Sequence, residues 1–235
     1  VIELLKSGKD INKLYIQKGE RHGSITEILK LAKQNKIIIQ EVDKIKLDKM
    51  SETHNHQGVI AVVPPYEYCD VDDILEYAKN KKEDPVIFIL DGIEDPHNLG
   101  SIIRTAECSG VHGIIIPKRR SASVNSTVNK TSAGAVQYMK IARVNNLNET
   151  INYLKERNIW IYGTDMDGAG YYDEQNYSGG VGVVIGSEGF GMSRLVKENC
   201  DFLIKIPMEG HINSLNASVS AGIVMYEIMK QRRNA

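Results

Sequence analysis

Val86-Ile-Phe-Ile-Leu-Asp-Gly-Ile-Glu-Asp-Pro-His-Asn-Leu-Gly-Ser-Ile-Ile-Arg-Thr-Ala-Glu-Cys-Ser-Gly110 decides the fold. Its first five residues form an unbroken apolar run, as expected of a strand buried on both faces. A polar turn follows. Leu99 to Ser109 then reads as a helix, ended by Gly110, which suits the left-handed position just beyond a helix. The alternation recurs downstream. Gly113-Ile-Ile-Ile116, Ile159-Trp-Ile-Tyr162, Val181 to Ile185 and Phe202 to Ile206 read as strands. Leu147 to Arg157 and Asn216 to about Lys230 read as helices. Alternating helices and buried strands predict an α/β fold with a mostly parallel sheet. Ligands of such sheets sit at the carboxyl ends of the strands.

Upstream, Leu14-Tyr-Ile16, Ile37-Ile-Ile39 and Gly58 to Val63 read as strands, and Asp43 to Met50 as a short helix. Ser24-Ile-Thr-Glu27 has the form of a capping box opening another helix. Pro64-Pro65 ends this small α/β unit, because proline lacks a backbone donor and turns the preceding residue away from helix. Seven acidic and three lysine residues fill the stretch from Glu67 to Asp84. The expected organisation is a first domain over 1–64, a linker over 65–84, in which Asp70 or Asp72 caps a linking helix, and a second domain over 85–235.

Of the 235 residues, 42 % are hydrophobic and 25 % charged, enough apolar side chains for a sizeable core. No apolar run reaches the roughly 18 residues of a membrane helix. The chain opens without Met, in what reads as a helix (Val1-Ile-Glu-Leu-Leu5), as though a few residues precede it, and shows no signal-peptide pattern. Cys69, Cys108 and Cys200 are odd in number, widely spaced and free of any CxxC. That predicts a reducing, cytoplasmic setting with neither a disulfide framework nor a cysteine-based zinc site. Net charge is 29 − 30 = −1, so any nucleic-acid surface must be local. Lys118-Arg119-Arg120, with Lys130, Lys140 and Arg143 following, reads either as solvated surface charge or as such a patch.

Four predicted strand ends carry loops rich in Gly, Ser, Asn and carboxylate: Asp91 to Gly100, Gly163 to Gly168, Gly186 to Gly191 and Pro207 to Ser218. Together they make a binding edge. The loop Gly186-x-x-Gly189-x-Gly191 lacks GxGxxG spacing, and neither a GxxxxGK[ST] loop nor a GxSxG elbow is present, which argues against dinucleotide, P-loop and hydrolase readings. His54-x-His56 offers two imidazoles without a third ligand, so it reads as a polar turn and no metal site is expected. His97 and His211 lie in the loops as polar residues or as bases.

Three segments resemble the signature motifs of the SpoU RNA 2′-O-ribose methyltransferases, in order and in separation. They are Asn98-Leu-Gly-Ser-Ile-Ile-Arg104-Thr-Ala, Ile185-Gly-Ser-Glu-Gly-Phe-Gly191 and Ile206-Pro-Met-x5-Ser-Leu-Asn-Ala-Ser218. The resemblance covers about residues 85–235. The first domain resembles the L30e-like RNA-binding domain that precedes the catalytic domain in the RlmB type of 23S rRNA guanosine-2′-O-methyltransferase. The resemblance implies a SPOUT fold whose C-terminal part is threaded into a trefoil knot, against the general rule that chains do not knot. It also implies S-adenosyl-L-methionine bent within that knot, and a homodimer with the apolar last helix at its interface. The implied knot loops are Gly163–Thr164, Gly186–Gly191 and Ile206–Asn216.

Site roles follow from the same resemblance. Gly186, Ile206 and Leu215 match positions whose backbones hold the cofactor, with Thr164 and Met208 in the same wall. Arg104 matches the residue that acts on the 2′-hydroxyl. A guanidinium stays protonated below a pH of about 12, so a fixed cation binding phosphate and stabilising alkoxide charge is the alternative to a literal base. Asn98 orients Arg104 or the ribose, Glu188 accepts from Arg104 or from substrate, and Ser214 and Asn216 add short polar groups. Asn216 also reads as a helix cap. Lys118, Arg119 and Arg120 are the candidate RNA contacts. Ribosomal RNA, 23S in particular, is the expected substrate. The alternatives are a tRNA 2′-O-ribose methyltransferase of the same fold, and a non-catalytic RNA-binding or ribosome-assembly protein.

Overall fold

A computed structural model describes residues 1–8, 11–19, 23–51 and 56–234. His54 lies outside the described residues. The chain forms two compact units, Val1–Tyr66 and Glu67–Ala235.

The first unit runs α1 (Ile2–Lys6), β1 (Lys13–Gln17), α2 (Ser24–Gln34), β2 (Ile39–Val42), α3 (Lys44–Met50) and β3 (Val59–Val62). Strand β1 is central, parallel to β2 and antiparallel to β3. Its alternate residues Leu14 and Ile16 are buried with Leu5, Ile28 and Ala32, the period-two pattern of a strand with one face on a core. The expected capping box does not form. Ser24 is already the first helical residue, Gly23 at φ 59° is the cap, and no side chain caps the helix. A serine within the first turn is past the position from which its hydroxyl reaches the free amides.

The second unit runs α4 (Val71–Lys81), β4 (Val86–Asp91), α5 (Pro96–Cys108), β5 (Gly113–Pro117), α6 (Ser126–Thr131), β6 (Ile141–Val144), α7 (Leu147–Lys155), β7 (Ile159–Thr164), β8 (Gly170–Tyr171), β9 (Gly180–Gly186), α8 (Arg194–Glu198), β10 (Phe202–Lys205) and α9 (Ala217–Arg233). The sheet order is β6-β5-β4-β9-β7-β10-β8, and every neighbouring pair is parallel. This is the α/β architecture expected from the alternation. The stretch expected as a linker, 65–84, is largely α4. It is tied to the second unit by Ile74 and Ala78, both fully buried, and Ile74 joins the core formed with Ile87, Ile115, Ile151 and Ile161. Asp73 accepts from the Asp70 backbone N–H at 2.8 Å, closing the start of α4 at the predicted cap.

Strand order locates the site. From β4 the chain moves outward through β5 and β6, crosses to β7, and returns with β9 inserted between β4 and β7. The order therefore reverses at the β4–β9 pair, the place where open α/β sheets bind ligands. Asp91 and Gly186, the last residues of β4 and β9, face each other in register. Helix α5 starts from an Asp95 cap whose Oδ1 accepts from the His97 N–H at 2.9 Å, with Pro96 in the first turn. It begins three residues earlier than expected and ends at a Ser109 cap, with Gly110 at φ 76° beyond it.

Helix α9 has Ala221, Val224, Met225 and Ile228 buried, while Val219 and Tyr226 are about half exposed (48 % and 46 %). The nearly all-round apolar pattern thus leaves a second face uncovered within one chain.

One buried histidine links the sheet to pH. His112 is 1 % exposed. Its Nδ1 accepts from the Val86 N–H at 3.0 Å, and its Nε2 faces Glu83 Oε2 at 3.0 Å. These bonds fit a neutral ring with its proton on Nε2. Burial pushes the pKa below its ordinary value, with Glu83 pulling the other way. As pH falls, the unfolded chain takes up a proton that the folded ring resists. The stabilisation is therefore complete above the ordinary histidine range near pH 6.5 and is lost as pH falls through the folded value. Thermal midpoints of the wild type are expected to drop below about pH 6.5, and His112→Gln to flatten that slope. An unchanged slope in the variant assigns the acid sensitivity to other groups.

Candidate active site

The loops after β4, β9 and β10 meet through three side chains. Asn98 Nδ2 donates to Glu188 Oε1 at 3.0 Å. Asn216 Nδ2 lies 2.9 Å from Asn98 Oδ1 and 2.5 Å from Glu188 Oε1. The Ala217 backbone N–H adds a fourth bond, to Glu188 Oε1 at 3.2 Å. One carboxylate oxygen thus collects three N–H donors at the start of α9, where helix amides favour negative charge. Glu188 Oε2 takes part in none of these bonds among the described residues.

Asn216 fills both roles open to it. Its Oδ1 accepts from the Ser218 N–H at 2.9 Å and from the Ser218 hydroxyl at 2.6 Å, capping α9, while its Nδ2 serves the cluster. Asn98 is buried at 9 % exposure, so its amide is held on both sides. The loop carrying Glu188 is pinched shut: Ser187 and Gly191 exchange backbone hydrogen bonds at 3.0 and 2.9 Å. Only glycine fits at its root. A Cβ on Gly186 would lie 2.3 Å from the Gly191 carbonyl carbon and 2.4 Å from the Met192 nitrogen. Asp91 anchors the far side, its Oδ2 accepting from the Ser193 N–H at 2.7 Å. Asp91, Ser218 and the Ala217 amide were not singled out from the sequence; the Asp91–Gly186 register is what brings Asp91 in.

The remaining candidates divide. Thr164, at the end of β7, donates its hydroxyl to the Val184 carbonyl at 3.0 Å, tying two of the loops together at their roots. Ile206, Met208, Ser214 and Leu215 lie on the loop between β10 and α9, with Ser214 and Leu215 exposed. Residues 207–215 make no backbone–backbone hydrogen bond among the described residues. Neither Ser214 nor Arg104 belongs to the Asn98–Glu188–Asn216 hydrogen bonds. Arg104 is exposed on α5, six residues and so about 9 Å along the axis from Asn98, and rotated away from it. It shares an exposed stripe with His97 and Cys108. Lys118, Arg119 and Arg120 are exposed on the loop after β5. That loop is joined to the β4 loop by the Ala122 N–H on the Ile93 carbonyl at 2.8 Å. His211 is exposed on the β10–α9 loop. Among the described residues, no group of His, Cys, Asp and Glu is arranged to hold a metal ion, and no helix is long and apolar enough to cross a membrane.

Residues 85–226 match the model of the SpoU rRNA methylase family. The chain belongs to this family. The SpoU match contains all three cluster residues. Residues 1–69 match a second model, described as RNA 2′-O ribose methyltransferase substrate binding. A Staphylococcus saprophyticus protein named for the TrmH family of tRNA/rRNA methyltransferases is 53 % identical over 232 residues, covering 99 % of this chain and 93 % of its own length. The SpoU methyltransferase AviRb from Streptomyces viridochromogenes, solved in complex with AdoMet, superposes with a TM-score of 0.83 at 26 % identity, over 99 % of this chain and 87 % of AviRb. The TrmH/SpoU tRNA modifying enzyme of A. aeolicus superposes with a TM-score of 0.60 at 26 % identity, over 69 % of this chain and 85 % of its own.

Proposed function

We propose that this SpoU protein transfers a methyl group from S-adenosyl-L-methionine to a ribose 2′-hydroxyl of ribosomal RNA, most specifically a guanosine of 23S rRNA. The observation that carries the reading is the Asn98–Glu188–Asn216 cluster, in which all three motifs meet at the reversal point of the sheet. The donor fits the loops beside it. Among the described residues, the backbone of 207–215 bonds to no other backbone group, Gly186 admits no side chain, and Leu215 and Met166 offer exposed apolar surface. On this reading Gly186, Ile206 and Leu215 hold the donor through their backbones, Thr164 and Met208 complete the wall, and the C-terminal part is the trefoil-knotted SPOUT seat.

When bound, the donor supplies an electrophilic methyl on a sulfonium, so the protein's task is alignment and proton removal. Glu188 Oε2 accepts from the ribose hydroxyl, and Asn98 and Asn216 keep the carboxylate from turning. Ser214 adds a hydroxyl on the same loop. Arg104 supplies the fixed cation that binds the adjacent phosphate and stabilises charge on the attacking oxygen. Within one chain it points away from the cluster, and a homodimer paired through α5 and the uncovered face of α9 gives it a site to serve in the second copy. Lys118, Arg119 and Arg120 hold RNA phosphates on the β5 side.

The first unit, on this reading an L30e-like RNA-binding module, favours rRNA over tRNA. The tRNA modifying enzyme of A. aeolicus aligns with only 69 % of this chain, whereas the substrate-binding model accounts for residues 1–69. Deleting residues 1–66 is expected to weaken RNA binding at least tenfold and to leave donor affinity within about twofold, since only the former loses contact surface. Filter binding and calorimetry check this. Equal losses of both count against a separate RNA module. The activity itself is tested by radiolabelled methyl transfer to unmodified rRNA and tRNA, followed by mapping of the modified ribose. Incorporation into 23S rRNA at a guanosine supports the assignment. Incorporation into tRNA alone moves it to the tRNA enzymes, and none into either favours a non-catalytic RNA-binding protein.

A further inference from the structure

We propose that Phe190 is a stacking platform for an unpaired nucleobase of the RNA, an assignment that rests on the methyl-transfer reading above. Phe190 is 95 % exposed, more than any other large apolar side chain among the described residues. A ring so placed contributes nothing to the core. Yet its position is closely held. The backbone exchange between Ser187 and Gly191 closes the loop beneath it, the Ser187 hydroxyl adds a bond to the Gly191 carbonyl at 3.2 Å, and Gly189 and Gly191 take φ values of 88° and 66° on either side. Those two glycines permit the sharp reversal that lifts the ring out of the loop.

The ring stands next to the chemistry. Phe190 follows Glu188 by two positions, with Gly189 between them, so their Cα atoms are no more than about 7 Å apart. A ribose presented to Glu188 carries its base on the carbon beside the 2′ position. The target base or its neighbour in the strand therefore falls within reach of the ring. Unpaired RNA bases are recognised by stacking on aromatic faces, and stacking accepts every base because each has a π-face. The basic loop Lys118-Arg119-Arg120 follows β5, on the far side of β4 from β9. An aromatic contact and a phosphate contact thus flank the cluster on opposite sides. The other claimants to the ring are the donor's own adenine and a second copy of the chain.

The test compares Phe190→Ala, Phe190→Leu and Phe190→Tyr with the wild type. Methyl transfer into unmodified total rRNA and tRNA, donor affinity by calorimetry and molar mass by light scattering are read for each. Phe190→Ala and Phe190→Leu are expected to raise KM for RNA about 5- to 150-fold, the worth of one base–aromatic stack. Phe190→Tyr is expected to stay near wild type, with donor affinity and mass unchanged in all three. A second readout needs no turnover. In Phe190→Trp, the new indole is expected to be quenched when a 12-nucleotide single-stranded RNA of mixed sequence is added. A wild type that methylates neither RNA overturns the methyl-transfer reading and leaves the quenching experiment to decide on the platform. Phe190→Ala within twofold of wild type, leucine serving as well as phenylalanine, or no quenching overturns the stacking assignment. A shifted donor affinity reassigns the ring to the adenine, and a shifted mass to the second copy.

Discussion

Arg104→Ala is expected to fold with an unchanged thermal midpoint and to bind donor normally, yet to lose at least about a hundredfold in methyl transfer, the typical cost of removing a preorganised charge-stabilising donor. The side chain is exposed, so truncation leaves no cavity and strands no buried group. Because Arg104 stands outside the Asn98–Glu188–Asn216 bonds of its own chain, a second experiment adds a sharper prediction. Arg104→Ala and Glu188→Gln, each inactive alone, are expected to regain activity when co-expressed. On the proposed pairing of two copies, one site of a mixed dimer would combine an intact guanidinium from one copy with an intact carboxylate from the other. Activity of the single Arg104 variant at the wild-type level removes the residue from the mechanism. Persistent inactivity of the mixture places its action within one chain.

The second large effect is expected at Gly186. A methyl group there meets main-chain atoms of Gly191 and Met192 at 2.3 and 2.4 Å, and main chain cannot swing aside as a flexible side chain can. Gly186→Ala must therefore spread the loop and break the Ser187–Gly191 exchange, and Glu188 leaves its three N–H donors. Overpacking of this kind costs about 1–3 kcal/mol, or on the order of 2–10 °C in thermal midpoint for a domain of this size. Donor affinity is expected to fall more than tenfold, because both the loop's backbone and its carboxylate are displaced. Calorimetry of donor binding checks this, and retention of full affinity refutes the close-approach argument.

Much of this was legible in the residues, for reasons that differ along the chain. The central strands were plain because Val86 to Leu90 and Val181 to Ile185 are continuous apolar runs, which only a strand covered on both faces tolerates. Helix α6, helix α8 and the two-residue β8 carry no readable pattern, being too short for their period to repeat. The strand β6, Ile141–Val144, is only four residues long and carries Arg143 at the sheet's edge, too short a run to mark a strand. The linker reading failed on Ile74, whose burial depends on a partner surface far away in sequence. Within the site, motif order was sufficient to bring forward Asn98, Glu188 and Asn216, which the fold joins. It was insufficient for Arg104. The direction of a helical side chain depends on where the helix starts, and Asp95 with Pro96 starts α5 three residues before Leu99, so Arg104 sits more than two turns in.

The double engagement of Asn216 ties reactivity to architecture. Its oxygen finishes the C-terminal helix and its nitrogen steadies the carboxylate, so one amide group is shared between scaffold and chemistry. Aspartate would keep the cap but set a second negative charge against Glu188; serine would keep a cap and leave the carboxylate short of a donor; alanine would lose both. No other side chain of that length carries an acceptor and a donor on opposite arms. Position 216 is thus constrained from two directions at once: serine or aspartate there keeps a helix start but leaves the Glu188 carboxylate to its Asn98 and Ala217 donors, and alanine gives up both.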